Sequence, residues 1–229
     1  MKQTQFPLGP QGWLRPAAGA AIGIAMAGAA GLLILGANAP ALPWLLAPAG
    51  ASAVLVFAVP TSPLAQPWPV IGGNLISAAI GVSVGTLLGA PLLAGAIAMG
   101  LAIAVMSILR CLHPPGGACA LLYGMGAAGL AGAETWGWAH IVTIAVNILA
   151  LTGTCWAYGK MTGHHWPHHP TLPEPIKSGP VTRATQVHLA LTQVLKEWDE
   201  VIDADVDDLD DIFLAVEQRI RANQITPTP

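Results

Sequence analysis

The chain has 229 residues, 54% of them hydrophobic and 9% charged, with a formal net charge of −3. Only Lys2, Arg15, Arg110 and Glu134 carry charge in positions 1–159, and the other 17 charged side chains follow Gly159. A stretch that long with no ionic surface excludes a soluble domain or a nucleic-acid binder and leaves an integral membrane protein with a small polar tail.

A bilayer core takes roughly 17–25 apolar residues per helix. In chain order the candidate spans are 17–36, 41–60, 70–90, 92–109, 115–133 and 138–158. Apolar segments recur as far as Tyr158, so the first is not read as a cleaved signal peptide. Segment 41–60 carries Pro43 and Pro48, and segment 115–133 opens on His113-Pro114-Pro115-Gly116-Gly117. Broken or re-entrant segments are tolerated in membranes only where protein or a wet cavity surrounds the backbone. With six crossings and a cytoplasmic N-terminus, Lys2, Arg15, Arg110 and Lys160 fall inside and Glu134 outside, as the positive-inside bias requires; with four, Arg110 faces outward. Six crossings of a bacterial inner membrane, with both termini cytoplasmic, is the expectation. Gly19 and Gly23, and the row Gly81, Gly85 and Gly89, predict closely packed helices. Cys111, Cys119 and Cys155 lack CxxC spacing and read as small hydrophobes in packed helices. No metal or cofactor is expected.

The run Pro48-Ala49-Gly50-Ala51-Ser52-Ala53-Val54-Leu55 matches Pro115-Gly116-Gly117-Ala118-Cys119-Ala120-Leu121-Leu122 at five of eight positions. Each copy begins the second of three apolar segments, so the expected architecture is all-α: a polytopic bundle of about six spans in two inverted three-helix repeats. Secondary transporters are often built this way. Each copy also reads as a proline-led, glycine-rich helix start. Unpaired N–H groups and the positive helix pole suit an anion there; packing alone also accounts for such breaks.

Arg110-Cys111-Leu112-His113-Pro114-Pro115-Gly116-Gly117-Ala118 resembles the signature of the HPP family of membrane proteins. Ala47-Pro48-Ala49-Gly50-Ala51-Ser52-Ala53, Ser62-Pro63-Leu64-Ala65-Gln66-Pro67 and Gly72-Gly73-Asn74-Leu75-Ile76-Ser77 are similar to the family's other blocks, in the same order, so the resemblance covers about residues 15–158. It implies a membrane transport function, because plant plastid and cyanobacterial members have been assigned nitrite transport. Bacterial members often carry a helical segment and CBS domains behind the membrane part. The tail here resembles that helical segment, and no CBS-like stretch follows it. Asn74 stands where some relatives are expected to have His, so a titrating role is not carried over to it.

The residues that point to a substrate site are Pro48, Gly50, Ala51, Ser52, Asn74, Ser77, Arg110, His113, Pro115, Gly116, Gly117 and Ala118. An ionisable group near membrane depth is a functional hypothesis by default. His113 can donate to an oxyanion and change charge near neutral pH, or it can cap its own turn. Arg110 reads as an interfacial anchor or as an attractor of anions to a cytoplasmic mouth. Asn74 and Ser77 share a helix face; these two, and Asn147 in mid-span, suit either a pore or a neighbouring helix. His164-His165-Trp166-Pro167-His168-His169 is rich in metal-binding side chains but reads as a linker, without acidic or cysteine partners nearby.

The organisation expected is a transmembrane domain at 1–159, a Pro/His-rich linker at 160–180 and a cytoplasmic helical tail at 181–229. In the tail, Val187, Leu191, Val194, Leu195, Trp198 and Ile202 recur at helical spacing, and a second helix is predicted over 206–222. Asp203-x-Asp205-x-Asp207 fails as a calcium loop, because Asp208 replaces the required glycine and Leu214 the required glutamate. A hairpin this small needs an apolar partner surface, and a homodimer is expected. The function expected is a permease or channel for a small inorganic anion, nitrite first; a sensor or assembly module acting through the tail is the alternative. An enzyme is not expected, because Glu134, His113 and His140 form no nucleophile or metal arrangement.

Overall fold

A computed structural model describes residues 12–36, 38, 42–130, 136–163, 166–168, 183–197, 206 and 209–216. The chain divides into two units, Met1–His168 and His169–Pro229. The first is a helical bundle: α1 (Leu14–Leu35), α2 (Leu42–Ala58), a 3₁₀ turn (Pro63–Ala65), α3 (Pro67–Leu88), α4 (Pro91–Ile108), α5 (Pro114–Ala127) and α6 (Ala139–Thr162). Proline opens α3, α4 and α5, where its missing N–H forfeits no helical bond. Gly89 and Gly163, with φ 61 and 71, close α3 and α6 in the left-handed conformation that glycine adopts without a Cβ clash.

Four helices, α1, α3, α4 and α6, are long and apolar enough to cross a membrane. At 17 residues α2 is shorter, and α5 has 14, or about 25 and 21 Å against a hydrocarbon core of ~30 Å. The two irregular segments of the sequence are thus the two short helices. Glu134 lies outside the described residues.

One expectation is overturned by α2. Pro48 lies inside that helix, which begins at Leu42, so Pro48 does not start a helix. Proline there removes a single i→i−4 bond, and the buried face of Ala49, Ser52, Ala53, Val56 and Phe57 carries the helix through it. The N–H groups of Gly50, Ala51 and Ser52 are consumed by helical bonds and cannot form a free positive pole.

The helices alternate in direction. At one end, Tyr158 Oη near the close of α6 donates to Arg15 O at the start of α1 (3.1 Å). At the same end Trp166 Nε1 donates to Ala65 O in the 3₁₀ turn (2.9 Å), and His113 at the head of α5 bonds Leu64 O. Trp68 Nε1 at the head of α3 donates to Leu109 O at the foot of α4 (3.1 Å). Arg15, Arg110 and Lys160 therefore gather at one end. At the other, Trp136 packs edge-on against Tyr123 and stacks on His140.

The main packed pairs are α1 with α2 and α6, α4 with α5 and α3, α3 with α5 and α6, and α2 with α5 and α6. This set maps onto itself when α1 exchanges with α4, α2 with α5 and α3 with α6. Glycine makes the seams close. Gly19 and Gly23 lie against Phe57 of α2 and against Tyr158 and Leu151 of α6. Gly81 and Gly85 bring α3 onto the backbone of α5. Outward, Leu33, Leu87, Leu92 and Ile108 are 77–88% exposed, an apolar perimeter suited to lipid and not to water.

In the second unit, α7 (Arg183–Glu197) and a helix covering 209–216 are joined by an ion pair between His188 Nδ1 and Asp210. Ile212, Phe213 and Val216 are exposed there. Asp203, Asp205, Asp207, Trp198 and Ile202, with the predicted end of the second helix, lie outside the described residues.

Candidate functional site

The local backbone of the α4–α5 turn sends His113 inward. Arg110 takes a left-handed φ of 52, an uncommon conformation for a residue with a Cβ, and the chain then reverses so that Cys111 N–H donates to Met106 O (2.9 Å). His113 occupies the N-cap of α5 and is fully buried. Its backbone carbonyl accepts from Gly116 N–H (2.8 Å). Because Pro114 and Pro115 have no N–H, the first turn of α5 offers far fewer free donors than a helix start usually does. The helix start expected at Pro48 is therefore absent, the one at Pro114 and Pro115 is poor in N–H donors, and the hydrogen-bonding groups gathered here are mainly side chains.

Those side chains form a continuous chain of hydrogen bonds. His113 Nδ1 lies 2.8 Å from Leu64 O, and Nε2 2.8 Å from Ser52 Oγ. A carbonyl only accepts, so Nδ1 carries the proton; Nε2 in the neutral ring then accepts from the Ser52 hydroxyl. Asn74 Nδ2 donates in turn to Ser52 Oγ (3.1 Å) and to Val70 O (2.8 Å). Both amide hydrogens are used, while Asn74 Oδ1 has no partner among the described residues. Ser52, Asn74 and His113 are all completely buried. The node ties α2, the 3₁₀ turn, α3 and α5 together near the basic end of the bundle, with Asn74 in the third turn of α3, about 10 Å from its start.

Of the other expected site residues, Ser77 is buried and donates to Met106 Sδ at 3.5 Å. A Cβ on Gly116 would lie 2.9 Å from Gly73 O and 3.0 Å from both Ser77 Oγ and Met106 Sδ; Gly116 is where α5 meets α3. Gly117 would meet only Met99 Cε, at 3.5 Å. Pro48 and Pro115 are buried, Ala51, Ala118 and Arg110 are exposed, and a Cβ on Gly50 would enter open space. Cys119 Sγ donates to Asn74 O (3.4 Å), and Cys155 Sγ to Val56 O (3.4 Å); these thiols bridge helices as weak donors.

Sequence reasoning missed the Leu64 carbonyl. Its one signal was the block Ser62-Pro63-Leu64-Ala65-Gln66-Pro67, whose tight turn aims successive groups in different directions. Leu64 O faces His113, Ala65 O accepts from Trp166, and Gln66 Oε1 accepts from His168 N–H (2.9 Å) while Gln66 Nε2 donates to Pro60 O and Ser62 O. The segment that leads away from α6 is thereby fastened to the turn that orients His113. Of the histidine-rich run, His164, His165 and His169 lie outside the described residues. Replacing Trp166 by phenylalanine leaves the buried Ala65 carbonyl unpaired, a loss of ~1–3 kcal/mol. A lower melting temperature in detergent is the expected result.

Apolar helices around a buried polar node define a polytopic membrane protein. The family described as "HPP, transmembrane region" matches residues 6–167, and the chain belongs to that family. It is similar to a transmembrane protein of Dictyostelium discoideum, 42% identical over 88 residues, covering 37% of this chain and 28% of the relative. A second transmembrane protein of the same organism is 46% identical over 80 residues, covering 33% of this chain and 28% of the relative. The matches thus span little more than a quarter of the length of these relatives. No solved structure matches the chain.

Proposed function

We propose that the protein is a permease or channel for a small inorganic anion, nitrite first, and not an enzyme. The observation that carries this reading is the Ser52–Asn74–His113 node: a completely buried chain of hydrogen-bonded polar side chains inside an apolar bundle. Polar groups at such depth are costly to retain and mark solute paths. The family resemblance supplies nitrite as the candidate. The site reading keeps Ser52, Asn74, Ser77, His113 and Gly116 to Ala118, with Arg110 at the mouth. In this structure the donors of Ser52, Asn74 and His113 are bonded within the node, so holding an anion there requires them to turn from one another to the ion. Purified protein in liposomes tests it: nitrite uptake above that of empty liposomes, with a competition panel of other anions, is expected. Ser52→Ala should reduce uptake about 10-fold, the equivalent of one lost bond to the transition path. Uptake no faster than in empty liposomes would overturn the reading.

The topology proposed is six crossings in two inverted three-helix units, in a bacterial inner membrane with both termini cytoplasmic. Alternating helix direction, the self-mapping set of helix pairs and the gathering of Arg15, Arg110 and Lys160 at one end support it. With Arg110→Cys, labelling by a membrane-impermeant maleimide is expected only after the cytoplasmic side is opened; labelling from the periplasm alone would refute six crossings. The exposed Ile212, Phe213 and Val216 of the tail favour a homodimer, which a dimeric mass in nanodiscs would bear out. A sensor role through the tail is favoured by one observation, the fastening of Trp166 and His168 to the turn beside His113. If it holds, removal of residues 169–229 changes nitrite flux without unfolding the bundle.

A further inference from the structure

The His113 node is not the only buried polar place in the bundle. On α6, Thr143 and Asn147 lie one helical turn apart and are completely buried. Thr143 Oγ1, Asn147 Nδ2 and Asn147 Oδ1 have no hydrogen-bond partner among the described residues. Asn74 donates back to the carbonyl one turn earlier in its own helix; Asn147 makes no such bond. Three unpaired polar atoms within one turn are unusual for a native interior, where buried polar groups are nearly always satisfied.

Their location relates them to the first site. Asn74 stands in the third turn of α3 and Asn147 in the third turn of α6. The exchange that maps the helix packing onto itself swaps these two helices, which run in opposite directions. The two asparagines therefore stand at similar depths from opposite ends of the bundle. Gly31 of α1 lets Asn147 and Leu42 approach closely: a Cβ there would lie 3.1 Å from Asn147 Oδ1 and 2.8 Å from Leu42 Cδ1 of α2. Both α2 and α6 begin at this end, so their positive poles face it.

We infer that Thr143 and Asn147 form a second binding position for the small oxyanion, at the opposite end of the bundle from His113, so that the permeating ion is handed between two polar stations. This rests on the transport reading above. Asn147 Nδ2 supplies two N–H donors and Thr143 a hydroxyl donor. Asn147 Oδ1 is left to accept from a water travelling with the ion, a division of roles that fits a partly hydrated anion.

The test uses full-length protein in liposomes, sodium nitrite as the probe, and the variants Asn147→Leu, Thr143→Val and Ser52→Ala. Asn147→Leu and Thr143→Val remove unpaired polar groups at nearly unchanged shape, so their melting temperatures should equal or exceed the wild type. Nitrite uptake by Asn147→Leu should nevertheless fall about 10-fold, with a smaller loss for Thr143→Val. If both variants melt like the wild type and carry nitrite at its rate while Ser52→Ala is impaired, the second station is wrong and the transport reading stands. If wild-type protein carries no nitrite, both are wrong. Should Asn147→Leu fail to insert, Thr143→Val decides on the same criterion: loss of uptake supports the station and wild-type uptake overturns it.

Discussion

Gly85→Leu is expected to abolish the folded bundle. A Cβ at this position would run into Gly124 O and lie 2.7 Å from Ala127 Cβ and 3.2 Å from Ala128 N. Backbone cannot swing aside as a flexible side chain can, so relief requires α3 and α5 to separate. Gly81, one turn earlier, is held as closely, at 2.8 Å from Ala120 O and 2.9 Å from Gly124 N. Moving the helices apart there also strips contacts from Val82 and Tyr123, which lie in the main core. Overpacking of this severity lies at or beyond the upper end of the usual cost of ~1–3 kcal/mol, and in a membrane no hydrophobic effect holds the helices together meanwhile. The measurement is recovery of a monodisperse species from mild detergent, expected to be near zero. Gly100→Leu is the control. That glycine, on α4, is exposed and has nothing within 4 Å of its Cβ, so the added side chain extends into lipid and recovery should match the wild type.

On the transport reading proposed above, His113→Ala is expected to have the largest effect on uptake. The ring donates to Leu64 O and accepts from Ser52, and it is completely buried. Truncation strands a carbonyl of the 3₁₀ turn and the hydroxyl of α2, each a loss of ~1–3 kcal/mol. Two connections are cut at once, one to α2 and one to the turn that also receives Trp166 and His168. Nitrite uptake should drop more than about 10-fold, with a lower melting temperature. His113→Gln separates ordering from proton chemistry, because an amide can donate to Leu64 O and accept from Ser52 but does not titrate. If the imidazole moves a proton, the glutamine variant should retain uptake and lose its dependence on pH. If it only orders the node, the pH profile of His113→Gln should follow the wild type. Wild-type uptake by both folded variants would remove His113 from the mechanism.

The glycine seams were legible because their cause is local. A small residue every four positions marks a face that another helix can approach, and Gly19, Gly23, Gly81 and Gly85 all lie on such faces. Gly89 belongs to the same row in the sequence, yet it ends α3 with a positive φ and touches nothing across the seam. Spacing identifies a face but not where the helix stops. His113, Ser52 and Asn74 stood out as polar residues in apolar surroundings. Their linkage spans 61 positions between Ser52 and His113 and 22 between Ser52 and Asn74, which no local pattern encodes.

The sequence by itself determined the solvent of the apolar part, because charge is a property of composition: a stretch with so few charges before Lys160 belongs in lipid. It also marked the beginning of α5, expected at Pro115 and found at Pro114, since proline fixes its own φ and lacks an N–H whatever surrounds it. Only the tertiary structure decided that the same residue at position 48 is carried through the middle of a helix. That outcome depends on a buried face assembled from α2 and its neighbours, and packing outweighs one missing hydrogen bond. Likewise, only the fold could pair the His113 ring with a carbonyl 49 residues away, because a backbone carbonyl is present at every position and leaves no mark in the sequence.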